Sequence, residues 1–206
     1  MTWGLRIAFV VSMLLASGVE TRSANQGDWP CVQRKVAEIS LAAIWTGPQP
    51  DATALKWRDD TAIAGLVPRL AARRTTDIEA RQAIIDLAAS SGELKKPKLL
   101  ALVEGLVETI NAERENVIAG LERFGKAQKD LADLLRKENA DLSTLRTDPQ
   151  ADPGKVSKQA EQLIWNLRIF DERQKSLRFV CEVPVLLEQR LFALSKDIQK
   201  NFETVK

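Results

Sequence analysis

The sequence predicts an all-α protein built on a long, coiled-coil-like antiparallel helical hairpin, with shorter N-terminal helices packed against it. Three observations predict this. Apolar residues recur seven apart along two stretches of roughly fifty residues each. One turn rich in aspartate and proline separates those stretches. Upstream, helix-capping signals precede shorter apolar repeats.

In the first long stretch, Val103, Ile110, Val117, Phe124 and Leu131 fall seven apart. Leu106 and Leu134 mark a companion seam, flanked by Val107, Leu121, Leu135 and Leu142. Pro97 suits a first helical turn, because its missing N–H needs no partner there. An unbroken helix over 97–147 would be ~75 Å long. Asp148-Pro149-Gln150-Ala151-Asp152-Pro153-Gly154 then reads as a turn. The second stretch, 155–203, carries Val156, Leu163, Phe170, Leu177, Leu191 and Ile198, with Ala160, Leu167 and Cys181 alongside. Pro184 lies inside it and is expected to kink the helix.

Folding the hairpin about its turn brings Gln128 opposite Gln174, a polar layer that would fix register within an apolar seam. Gly120 and Gly125 fall near Cys181, where the missing side chains leave space. The segment Trp29-Pro30-Cys31 is a candidate to fill it; the alternative is that the glycines only loosen the helix.

Two to four shorter helices precede the hairpin. Ser40 can cap a short one carrying Leu41, Ile44 and Trp45, which Gly47-Pro48-Gln49-Pro50 ends. Asp51 is a candidate cap for a stretch with Leu55 and Trp57. From Thr61, Ile63, Leu66, Val67 and Leu70 recur at helical spacing with Arg69, Arg73 and Arg74 opposite, and Pro68 is expected to kink or interrupt the pattern. Charge at Asp59-Asp60 favours a helix start. Thr76-Asp77-Ile78-Glu79 has the form of a capping box, opening a helix that stops at Ser90-Ser91-Gly92.

The N-terminus has the pattern of a secretory signal peptide. Met1 to Arg6 carries one positive charge, Ile7 to Ala16 is apolar, and Ala16-Ser17-Gly18 supplies small residues. The division is therefore signal peptide 1–18 (alternative cleavage after Ser23), an extended tether and short helix over 19–50, and a helical bundle over 51–206. An uncleaved anchor is the alternative, although the apolar run is shorter than the ~20 residues of a membrane span. No other stretch is apolar enough to span, and Asp28-Trp29-Pro30 before Cys31 is no lipid-attachment sequence.

In an exported chain, Cys31 and Cys181 are expected to pair as a disulfide; two buried free thiols are the alternative. A redox role lacks the C-x-x-C arrangement that would supply a resolving thiol.

Composition narrows function by exclusion. The chain has 206 residues with 45% apolar content, and its 30 Lys and Arg balance 28 Asp and Glu, a net charge of +2. Interspersed signs leave no basic footprint for nucleic acid. Histidine is absent. That removes the commonest general base and metal ligand and every Ser-His or Cys-His nucleophile. Glycine-rich phosphate loops are missing as well. Asp148 and Asp152 do not have EF-hand spacing. Glu104, Glu108, Glu113 and Glu115 read as a solvated face, because a di-iron bundle needs Glu-x-x-His ligands. Lys95-Lys96-Pro97-Lys98 reads as a solvated helix start. Trp29, Trp45 and Trp57 form a candidate interaction surface, or alternatively anchor short helices in the core. Trp165 is the remaining tryptophan after the leader.

Asp28-Trp29-Pro30-Cys31, followed by Ser40 and Ile44-Trp45-Thr46-Gly47-Pro48, resembles the N-terminal segment of a group of uncharacterised exported proteins of proteobacteria. The resemblance covers roughly residues 28–48 and implies a periplasmic location. It implies no activity and no catalytic residues.

The expected function is a periplasmic, non-catalytic helical binding or scaffolding protein that contacts another protein of the cell envelope. Homodimerisation is expected to be open to it, and no cofactor, nucleic acid or transmembrane segment beyond the leader is expected. The alternatives are a small-ligand or metal carrier with a pocket near the tryptophans, and an enzyme acting through carboxylates.

Overall fold

The computed structural model describes residues 27–51 and 53–204, and every regular element within them is helical. The expected signal peptide and its two expected cleavage positions, after Gly18 and after Ser23, lie outside the described residues. Helix α1 spans Leu41–Ile44, α2 Thr61–Ala71, α3 Asp77–Ser90, α4 Lys95–Thr147 and α5 Pro153–Glu203. A single 3-10 turn, Gly92–Leu94, joins α3 to α4.

Caps set most boundaries. The Asp60 carboxylate accepts from the N–H groups of Ala62 and Ile63 and opens α2. Thr76 and Glu79 form the reciprocal capping box that opens α3. Asp152 accepts from the Gly154 N–H just before Pro153, and so opens α5. Gly92, with φ of 52°, lets the chain leave α3.

Several expectations need correction. The Ser40 hydroxyl makes no cap bond, and α1 is one short turn. Asp51 opens no helix; its carboxylate accepts from the Thr53 N–H and hydroxyl and holds a local turn. Helix α4 starts at Lys95, two residues before Pro97, which still lies in the first turn where no donor is missed. Pro68 and Pro184 both lie inside helices that continue past them: α2 runs on to Ala71 and α5 to Glu203.

Helices α4 and α5 form the antiparallel hairpin, and α1, α2 and α3 pack at its open end. Three apolar clusters follow its length. The largest joins Ile63, Val67 and Leu70 of α2 and Ile84 of α3 to Leu99, Leu102 and Leu106 of α4 and Leu187 and Leu191 of α5. A second surrounds the cysteines, with Trp29, Ile118 and Leu121. The third, near the turn, is built from hairpin residues alone, Leu135, Leu142 and Leu163. Among the described residues, the half of the hairpin nearest the turn is therefore two helices with no third layer.

The seam matches the expected one in part. Val103, Leu106, Ile110, Leu121, Leu135, Leu163, Leu191 and Ile198 are buried. Leu134 and Leu167 are exposed, and the inward positions one residue away are Leu135 and Asn166. Asn166 is held there because its amide donates to both oxygens of Glu138 at 2.8 and 3.0 Å.

Candidate functional site

The segment from Gly27 to Ile39 has no regular structure and lies along one side of the hairpin as a strap. Its bonds to α4 follow one another up the helix. Lys129 Nζ donates to the Gly27 carbonyl at 2.6 Å and pairs with Asp28 at 3.1 Å. Lys35 pairs with Glu122. Arg114 Nη2 donates to the Val36 carbonyl at 3.2 Å. Asn111 accepts from the Ile39 N–H at 3.0 Å and donates to the Ile39 carbonyl at 2.9 Å, as a strand neighbour would.

Two attachments tie the strap to α5. Cys31 and Cys181 are joined by a disulfide with Cα atoms 5.6 Å apart. The Gln33 side-chain amide donates to the Cys181 carbonyl. Trp29 is buried beside them, its indole N–H donating to the Gln33 carbonyl at 2.8 Å.

Of the two glycines singled out, one receives the strap. A Cβ on Gly125 would lie 2.0 Å from the Asp28 carbonyl oxygen and 3.2 Å from Pro30 Cβ. A Cβ on Gly120 would meet only Arg123 Nη2, at 3.8 Å. Gly125 is thus a close-approach glycine, and Gly120 lies on the far side of the contact.

The three N-terminal tryptophans anchor structure. Trp45 is 2% exposed, donates to the Pro48 carbonyl at 3.0 Å and meets Phe202 edge-on at 5.2 Å. Trp57 is half-buried and donates to Glu108 Oε2 at 2.9 Å, with the Arg58 guanidinium 4.1 Å above its ring. With Trp29, these side chains turn their faces to the core or to their own chain, so they do not present a joint surface.

The polar layer also differs from expectation. Gln128 is buried, and its amide donates to the Phe170 carbonyl at 3.0 Å, while Gln174 is exposed. Residues 171–176 of α5 are all exposed, so Gln174 stands outside the seam and the two glutamines do not form a layer.

The carboxylates of α4 are partly engaged. Glu108 takes both guanidinium nitrogens of Arg58, at 2.5 and 2.8 Å, and these bonds, with the Trp57 indole, hold its carboxyl below the usual range. A recess of about 640 Å³ beside it is lined by Glu38, Glu104, Asn111 and Glu115. Among the described residues no three metal-ligating side chains gather. Asp148 and Asp152 each cap a backbone N–H of the turn.

One surface escaped the sequence reading. Helix α5 carries large apolar side chains pointing into solvent: Ile164, Trp165 at 59% exposure, Phe179 at 69% and Leu186. Trp165 and Ile169, with Phe124 of α4, line an open recess of about 450 Å³ edged by Arg168, Glu172, Arg173 and Ser176. It lies between the two helices. The signal was present in the spacing of Trp165, Ile169, Phe179 and Val183, but core heptads of similar strength overlay it.

No family model matches the chain, and neither a curated protein nor a solved structure matches it.

Proposed function

We propose that this chain is a non-catalytic helical scaffold of the cell envelope that acts by presenting helix faces to protein partners. The observation that carries the reading is the solvent-facing apolar side of α5, with Trp165 and Phe179 more than half exposed on a rigid helix. Contiguous apolar surface of this kind, edged by charged residues, marks contact sites on folded proteins. Location in the periplasm is supported by the leader pattern of the first 23 residues and by the disulfide, a bond that persists in oxidising compartments. Further support comes from the missing catalytic vocabulary: the chain has no histidine, and Glu108 is occupied by Arg58 and Trp57.

The test is affinity purification of the tagged exported chain from its own envelope fraction, with mass spectrometry of what accompanies it. One partner recovered repeatedly with the wild type and lost with Trp165→Asp is the expected result. Recovery of the chain without a different protein overturns the reading.

A further inference from the structure

The strap is shallow, and the forces on it oppose one another. Between Gly27 and Ile39, the side chains of Trp29, Cys31 and Ile39 are buried, whereas Val32 and residues 34–38 are exposed. The pairs Lys129–Asp28 and Lys35–Glu122 stand at the surface, where an ion pair contributes little. The two bonds between Asn111 and Ile39 and the burial of Trp29 favour the closed strap.

Arg114 acts against it. This residue is 2% exposed and donates from Nη2 to the Val36 carbonyl of the strap. Its Nε and Nη1 have no partner among the described residues. Nor does it form an ion pair among them, and Glu188, the carboxylate that acts on it from α5, is itself exposed. A guanidinium taken out of water with two of its three nitrogens unbonded costs free energy, and a strap that lifts returns those N–H groups to solvent.

We propose that the strap is a redox latch: the Cys31–Cys181 bond holds it against α4, and reduction of that bond lets it lift while the hairpin stays folded. Of the strap, the largest apolar cluster takes in only Ile39, so the core that joins α2 and α3 to the hairpin does not depend on closure. Opening is a thiol–disulfide exchange with a dithiol. Its thiolate attacks one sulfur of the bond, and the other leaves as a cysteine thiolate that takes up a proton. The second thiol of the reductant then displaces the remaining cysteine, giving two protein thiols and the oxidised dithiol. Closing runs the same exchange backwards, with a small disulfide as the oxidant. The lifted strap carries Trp29 away from Ile118 and Leu121 and uncovers that side of α4. The latch is independent of the contact surface on α5 and stands or falls without it.

The test is hydrogen exchange read by mass spectrometry on the exported chain, before and after dithiothreitol, with alkylation counting the free thiols and circular dichroism following helicity. In the reduced chain, exchange across residues 27–39 should rise at least about tenfold, with α4 and α5 still helical. Arg114→Met removes the buried charge and keeps an apolar stem, so its strap should stay protected after reduction. The wild-type comparison decides the latch by itself should that variant not fold. A reduced wild type whose strap exchanges as slowly as before overturns the inference. So does a bond that is reduced only as helicity is lost, or an Arg114→Met strap that lifts as freely as the wild type's.

Discussion

A Cβ at Gly125 would stand 2.0 Å from the Asp28 carbonyl oxygen, whereas one at Gly120 finds nothing nearer than 3.8 Å. The same substitution at the two sites should therefore have opposite signs. Gly125→Ala forces the strap off α4 or bends the helix, at a cost of about 1–3 kcal/mol. Gly120→Ala adds helix propensity without a clash and should stabilise by about 0.5–1 kcal/mol. Denaturant unfolding of both variants checks the pair, and equal effects would place the strap elsewhere. Arg114 shows a different aspect of the same packing. It is 2% exposed, and its Nε and Nη1 have no protein partner, so burial pushes its pKa down. The charge nearest in effect is Glu188, which acts in the opposite sense. A glycine's missing carbon can be suspected from sequence, as it was here for both positions. Which of the two touches the strap depends on the rotation of α4, and composition does not carry that.

Among the elements, α2 has its start tied to a second helix. Asp60 caps two of its N–H groups and pairs with Lys98 of α4 at 2.9 Å. The Lys98 bond is the largest cause of its lowered pKa, followed by the bond from the Ile63 N–H. A carboxyl whose folded pKa lies below its unfolded value stabilises above the ordinary carboxylate range and loses that contribution as pH falls through the folded value. Asp60→Asn keeps a capping oxygen and removes the charge. The wild type should therefore melt above this variant near neutral pH, with the gap closing below about pH 4. A gap that does not change with pH would mean that the ion pair contributes nothing. Caps made the helix starts legible, because Asp60, the Thr76–Glu79 box and Asp152-Pro153 signal locally. The hairpin was legible for a similar reason, its turn being dense in residues that cannot continue a helix. The seam was legible only to within one position. Leu134 and Leu135 are both apolar, and Leu167 is apolar beside the polar Asn166, so spacing alone left two faces to choose from. The structure puts Asn166 inside, a choice that depends on Glu138 across the hairpin and on no signal within α5. The ridge of Trp165 and Phe179 went unread for the same reason: apolar heptads look alike whether or not a partner helix covers them.

Over the whole molecule, support is uneven. Among the described residues, the open end of the hairpin has α1, α2 and α3 around it, its middle has the strap, and the end near the turn has only its own two helices. Removing the middle support should be felt beyond the strap itself. Cys31→Ser with Cys181→Ser opens a loop whose ends are 150 residues apart. The expected loss is about 2–4 kcal/mol, with a red shift of Trp29 emission as the strap leaves its groove. Unchanged unfolding and emission would mean that the hydrogen bonds to Asn111, Lys129 and Cys181 hold the strap without the bond. The placement of that bond also sets an order of events. Cys31 leaves the ribosome long before Cys181, and between them lie all of α4 and most of α5. The first thiol has no partner within the chain until the residue 150 positions further on has been made. It must therefore wait, reduced or held by another thiol, while that stretch is synthesised. Once the second thiol arrives, a chain with one pair of cysteines has only one intramolecular bond to make, so closure late in assembly involves no shuffling among wrong pairs.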